Sequence, residues 1–278
     1  MRPDWARIRG VVLQSDDWGL CAWSADDEAH RALAATSSFR SRRGRDYGRS
    51  TLESAADVRA LVELLLEFRG GDGRPPVLQA NTVMAAPDFE ELARARFGCP
   101  ELPLLMLPRA PSRWQRPGLW EQVRAGIAAG VWRPELHGLH HLPARAWLEA
   151  LRRGERETRR AFEQECVVCP AVSSGAEYGD TEPAAQRTRA LERAMVHFPG
   201  MFGRAPDSLC PPDYRWDARL EADAFRLGLT VIQGDGERVR PFLRLRRLVP
   251  ERWPRTRAGC FLMPRRTAFE PRGHADPG

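Results

Sequence analysis

Residues 9–19 read RGVVLQSDDWG: a short β-branched run that stops abruptly on two adjacent carboxylates, Asp16 and Asp17, and then on a glycine. Working outward, the same figure recurs. Apolar runs that read as strands fall at 9–13, 77–83, 131–136, 229–233 and 260–263, and 208–216 begins as an extended stretch fixed by Pro211 and Pro212. Between them lie stretches with helical spacing at 57–68, 120–129, 144–166 and 184–197, and Asp217 reads as the N-cap of one more, with Glu221 too late to complete a capping box. This alternation is the pattern of an α/β fold. There is no internal repeat and no low-complexity linker, so residues 1–278 read as a single domain, with 237–278 an atypical Arg-rich tail.

The strand-to-loop junctions fall repeatedly on polar residues: Asp16 and Asp17, Asn81, His137, Asp213 and Asp235. In parallel α/β folds the carboxyl ends of the strands face one rim, and sites are built there.

Composition narrows the function classes. With 42% hydrophobic and 29% charged residues the chain is globular in character. It contains no lysine, so all 43 basic side chains are arginine. That excludes Schiff-base chemistry, pyridoxal phosphate anchoring, the P-loop lysine and the kinase lysine. Codon bias in a GC-rich genome is the plain explanation. The net charge of +6 points only weakly to acidic partners, because 37 acidic residues are interspersed and the Arg-rich stretches at 40–49 and 238–266 carry no nucleic-acid motif. A nucleic-acid-binding reading therefore rests on charge alone. No run of about 18 apolar residues offers a membrane span, and the first residues lack the apolar core of a secretion signal, so a cytoplasmic protein without a membrane partner is expected. The six cysteines form no framework, and Cys166 and Cys169 lack the second close pair of a structural zinc site.

His137 and His141 stand four apart. In a helical turn that spacing puts both imidazoles on one face, able to share a cation. The metalloprotease version needs a glutamate directly after the first histidine, and Gly138 stands there. A third ligand must come from elsewhere, and the Asp16–Asp17 pair is the best source, one carboxylate binding metal and the other free as a base. The bland alternatives are a helix cap near Gly19 for the aspartates, a place off the shared face for His140, and core packing for Trp18, Trp132, Trp147 and Trp216. Trp18, Asn81 and Asp213 are candidate substrate-binding residues, and Glu135 is a further rim candidate.

Ser15–Gly19 (SDDWG), HxxxH at 137–141 and CPPDY at 210–214 resemble the first three motifs of the polysaccharide deacetylase superfamily, the NodB-homology fold, in order and spacing. The resemblance covers roughly residues 8–236. It implies a distorted (β/α) barrel, here incomplete at its C-terminus, with a divalent metal, usually zinc, that removes acetyl groups from acylated sugars. By the same resemblance Asp16 would be the base that deprotonates a metal-bound water, and Asp17, His137 and His141 the metal ligands. Tyr214 would lie in the motif whose backbone amide helps bind the oxyanion. The family's arginine partner of the base is replaced by Cys210, with Arg215 a substitute, and Asp235 would match the acidic residue of the fourth motif. The family's late histidine has no counterpart on a strand after Gly236, since His274 has neither strand nor helix around it. The acid would then come from His140 or elsewhere.

The expected function is metal-dependent hydrolysis of an N- or O-acyl carbohydrate. Two other readings remain: a catalytically impaired carbohydrate-binding relative, and a non-haem iron oxygenase using the same two histidines and one carboxylate.

Overall fold

The computed structural model describes residues 12–172, 175–234 and 256–264. Its eight strands are β1 (Leu13–Trp18), β2 (Leu78–Thr82), β3 (Ala85–Pro87), β4 (Leu104–Met106), β5 (Trp132–Leu136), β6 (Ser208–Leu209), β7 (Val231–Gly234) and β8 (Phe261–Pro264). Six of them form one parallel sheet in the order β1-β2-β5-β6-β7-β8, and β3 pairs with β4 in a separate antiparallel hairpin. Parallel neighbours need crossovers. Helices α1 (Asp27–Leu33), α2 (Ser37–Arg40), α3 (Arg42–Tyr47) and α4 (Ala55–Glu67) lie between β1 and β2. Helix α5 (Phe89–Arg94) lies between β3 and β4, and α6 (Leu119–Ala128) precedes β5. Helices α7 (Ala144–Arg152), α8 (Arg156–Glu163) and α9 (Ala184–Phe202) connect β5 to β6, and α10 (Ala218–Arg226) connects β6 to β7.

The sheet is curled. Strands β2 and β7 are three positions apart, about 14 Å in a flat sheet at about 4.8 Å per strand, yet Asn81 Nδ2 and Gln233 Oε1 are 2.8 Å apart. The strands therefore line a half-barrel trough, an architecture compatible with an incomplete (β/α) barrel. Period-2 alternation sorts its two faces. Trp132 and Leu136 of β5 turn outward into the main apolar core, where α6 comes so close that a Cβ on Gly126 would lie 2.9 Å from Val62 Cγ2 and 3.1 Å from Trp132 Cβ. The inner face carries Asp16, Asn81, Glu135, Ser208 and Gln233. No helix among the described residues is long and apolar enough to cross a membrane.

Several elements differ from the sequence expectation. Strand β1 continues through both aspartates instead of stopping before them, and the first helix begins only at Asp27, capped by Asp26, so Asp16 and Asp17 cap nothing. The helix expected over 144–166 is two, because Gly154 takes a left-handed φ of 70° between α7 and α8. The extended stretch from 208 is two strand residues and then a tight turn at Pro212–Tyr214. Asp217 does cap α10, accepting from Leu220 N at 2.9 Å. Part of the presumed tail joins the sheet as β8, while Asp235 and His274 lie outside the described residues.

At the exit of β1, Gly19 adopts φ +77°, and its N–H donates to Glu53 Oε1 at 3.1 Å. Burial pushes the Glu53 carboxyl up to about 7, against the opposing pull of backbone hydrogen bonds including that from Gly19. Between its ordinary 4.5 and that value the folded protein holds a proton that the unfolded chain has released. Wild-type stability therefore declines as pH rises through this window. Glu53→Gln, which keeps an acceptor for Gly19, should gain on the wild type between about pH 5 and about pH 8 in denaturant titrations. An equal gap at both pH values would count against a buried, protonated Glu53.

Candidate metal centre

Adjacent residues on a strand normally point to opposite faces. Between Ser15 and Trp18 the β1–β2 register shifts: three residues of β1 advance against two of β2, Ala80 to Thr82. This is a bulge with one extra residue. Asp17 sits in it with φ +66°. The bulge leaves Asp16 on the inner face and turns Asp17 to the rim, so the two carboxylates serve different neighbours.

His137 follows β5 directly, its N–H donating to Thr82 O at 2.9 Å. Its Nδ1 lies 2.7 Å from Cys210 O. A carbonyl can only accept, so Nδ1 carries the proton there, and Nε2 faces Asp17 Oδ1 at 3.2 Å. His141 Nε2 lies 3.3 Å from the same oxygen, and the two imidazole centroids are 4.9 Å apart. The spacing of the pair suggested a helical turn, but residues 137–143 form no helix. An irregular loop with left-handed Gly138 (φ +83°) and His141 (φ +53°) brings the rings together.

Asp17, His137 and His141 offer ligand atoms that all lie within 4.8 Å of one another. Ligands about 2.05 Å from a tetrahedral cation sit about 3.3 Å apart, and the carboxylate–imidazole separations here are 3.2 and 3.3 Å. One hard oxygen and two borderline nitrogens suit a first-row divalent ion, and the Cys210 carbonyl supplies the outer contact that orients such a histidine. The residues fit a metal. A second group, Asp16, His137 and Cys210, also meets the distance criterion, but Cys210 is fully buried and His137 turns Nδ1 to its carbonyl.

Electrostatics follow from the same contacts. Burial lowers His141 below its ordinary value, outweighing the Asp17 charge, which favours a bare imidazole. Burial opposes a charged His137 as well, but Cys210, Asp17 and Asp16 outweigh it and hold it well above the ordinary value. The Asp17 side chain is 54% exposed. Desolvation of its carboxylate pushes it up, and the electrostatic attraction of the His141 ring with the His137 hydrogen bond more than reverses this, leaving it below the ordinary value.

Asp16 is held from two sides. Asn81 Nδ2 donates to Oδ1 at 2.7 Å, and the Tyr214 hydroxyl donates to Oδ2 at 2.9 Å. Behind Asn81 runs a buried chain: Asn81 and Gln233 exchange amide bonds at 2.8 and 2.9 Å, Gln233 Nε2 donates to Ser208 Oγ at 2.8 Å, and Ser208 Oγ donates to Glu135 Oε2 at 3.0 Å. Carboxylates stand at both ends and only accept, so every rotor between them has one satisfying orientation. Glu135 is tied in turn to Arg133 and Arg204. Glu135 is thus part of the buried relay, away from the rim.

The remaining candidates are placed as follows. The structure sets Tyr214, not Arg215, against Asp16. Arg215 is exposed, and Tyr214 N–H donates to Pro211 O at 2.8 Å, so the tyrosine's hydroxyl, and not its amide, faces the site. Trp18, half-buried, packs edge-on against Trp132 at 4.5 Å between centroids and lies against the apolar core. Asp213 lies at the rim, 3.6 Å from Arg43, and its charge acts on His141. Asn81 is fully buried, a partner of Asp16 and out of a substrate's reach. His140 turns the other way, its Nδ1 3.8 Å from Glu177. Gln233, Ser208 and Glu177 are site residues that no sequence motif singles out. Asp17, His141, Asp213 and Tyr214 all hold positive φ, strain of about 1–3 kcal/mol each that persists where surroundings over-determine it and clusters at functional sites.

Compared with known proteins, the sequence matches no family model, and a search of the curated proteins finds none that matches.

The donor set makes a direct forecast. The purified protein should take up one equivalent of Co2+ or Zn2+. Asp17→Asn, His137→Ala and His141→Ala should each weaken uptake by about two orders of magnitude or more, whereas Asp16→Asn and His140→Ala should retain it. Calorimetric titration reads this, and uniform binding across all five variants would place any metal elsewhere.

Proposed function

We propose that the chain is a metal-dependent hydrolase of the polysaccharide deacetylase type, releasing acetate or a similar acyl group from an N- or O-acylated carbohydrate. The observation that carries this reading is the division of labour at the end of β1: one oxygen of Asp17 meets both imidazole Nε2 atoms, while its neighbour Asp16 is oriented separately by Asn81 and Tyr214. A two-histidine, one-carboxylate iron oxygenase has no need of a second, independently held carboxylate.

Asp17, His137 and His141 would hold the ion, with zinc the choice for this donor set in a hydrolase. When bound, it supplies Lewis acidity toward the acyl oxygen and the attacking water. The chain's own residues do the rest. Asp16 takes the proton of the attacking water on a carboxylate oxygen, and the donors from Asn81 and Tyr214 keep that carboxylate from turning away. Having received the proton, Asp16 is the group on hand to return it to the leaving nitrogen or oxygen. Tyr214 answers the proton's arrival and departure through its hydroxyl, and the Asn81–Gln233 pair resists rotation of the base.

A second reading is a carbohydrate-binding protein that no longer turns its ligand over. The absence of arginine from Cys210's position favours it, because the base then lacks the charged partner that the resemblance leads one to expect.

One assay separates the two. Zinc-loaded wild-type protein should release acetate from acetylated chitooligosaccharides, and Asp16→Asn should lose about 10²–10⁴ of that rate while still binding the ion. Oligosaccharide binding with no acetate release by the wild type would favour the silent reading, and neither binding nor release would remove the carbohydrate assignment altogether.

A further inference from the structure

A buried carboxylate outside the ligand set organises the metal loop. Glu177 is 2% exposed. Its carboxylate accepts the Leu139 N–H at 3.0 Å on each oxygen, and Oε2 also accepts the His140 and His141 N–H groups at 2.9 and 2.8 Å. Three successive peptide N–H groups thus converge on one anion, as in the backbone nests that bind phosphate. Gly138 makes room for it: a Cβ there would lie 2.7 Å from Glu177 Oε2 and 2.9 Å from Pro212 Cγ. The same segment closes over the ligand itself, since a Cβ on Gly175 would come within 2.2 Å of His141 Cε1 and Nδ1. Five residues further on, Glu182 Oε1 accepts the Arg145 N–H at 3.0 Å, tying the far end of the loop at the start of α7. The segment is itself anchored, with Arg187 of α9 donating to Tyr178 O at 3.2 Å and pairing with Asp217 at 2.9 Å.

We propose that Glu177 is the positioning residue of the metal centre: its carboxylate is the internal anion around which residues 138–141 are wound, and it presets the His141 imidazole opposite Asp17. The assignment rests on the metal-centre reading above. Without that anion, three buried N–H groups would lose their acceptor, and the left-handed conformations at Gly138 and His141 would lose what holds them. Glutamine has the same shape but brings an amide NH2 toward those N–H groups, while aspartate keeps the charge on a shorter stem.

The test uses the full chain and Co2+ as probe. In Glu177→Gln, amide exchange at 139–141 of the metal-free protein should quicken by about tenfold or more with β2 and β5 amides unchanged. Co2+ affinity should fall about 10–100-fold with an altered visible spectrum. Glu177→Asp, which retains the anion, should fall between wild type and Glu177→Gln on both readouts, and it stands in if the glutamine variant does not fold. Unchanged Co2+ affinity and spectrum in a folded variant overturn the role of Glu177 while leaving the metal reading intact. If the wild type itself binds no Co2+, the metal reading fails and the positioning role falls with it, whatever the exchange rates show.

Discussion

One extra residue in β1 is the constraint on which the centre depends. A regular strand would send Asp16 and Asp17 to opposite faces of the sheet, one into the trough and the other into the helix layer, where an unpaired carboxylate is costly. The bulge between Ser15 and Trp18 instead advances the chain so that Asp17 emerges at the rim and Trp18 still packs on Trp132. From that displacement follow the convergence of both imidazoles on one oxygen and the freedom of Asp16 to be held by other residues. The left-handed φ of Asp17 is the local cost, and the strand pairing on either side of the bulge sustains it.

The trough is the second condition. Half-barrels of parallel strands usually fill their interior with branched apolar side chains, but here the interior is a polar relay from Asp16 through Asn81, Gln233 and Ser208 to Glu135. Such a network stabilises only when every member is satisfied, and the donor and acceptor count closes at both ends. Its contribution is orientation: the carboxamides of Asn81 and Gln233 lock each other, and Asp16 inherits that fixity. Apolar adhesion is left to the outer face, where Trp132 and Leu136 share one core with Val62 of α4 and Val123 of α6.

Much of this was legible in the chain, and the illegible parts share a physical cause. Strands β2, β5 and β7 show as apolar runs because their outward residues must bury against helices, and the residue types of Asp17, His137 and His141 stand out at strand ends. The boundary of β1 is misread because aspartate is a poor strand former and a bulge leaves no local mark. The histidine pair has helical spacing, yet the acceptor that shapes its loop lies 36 residues away at Glu177, beyond any local pattern. The contact of the Tyr214 hydroxyl with Asp16 is not legible either, since the two residues lie 198 positions apart and sequence does not reveal the turn that takes the Tyr214 amide to Pro211. Helices α1 to α3 are too short, at 7, 4 and 6 residues, to develop an apolar stripe.

The strand that carries both aspartates is also a border of the parallel sheet, hydrogen-bonded to a neighbouring strand only through β2 among the described residues. Its first residues, Val12 and Leu13, are 64% and 40% exposed. Opening free energies in proteins run from near zero at frayed margins to the global value in central elements. Peeling of this margin would scatter both aspartates together while β5, with both histidines attached, stayed zipped between its neighbours. The Asp17–His137–His141 cluster and the fold as a whole would then have different melting points, with the former the lower.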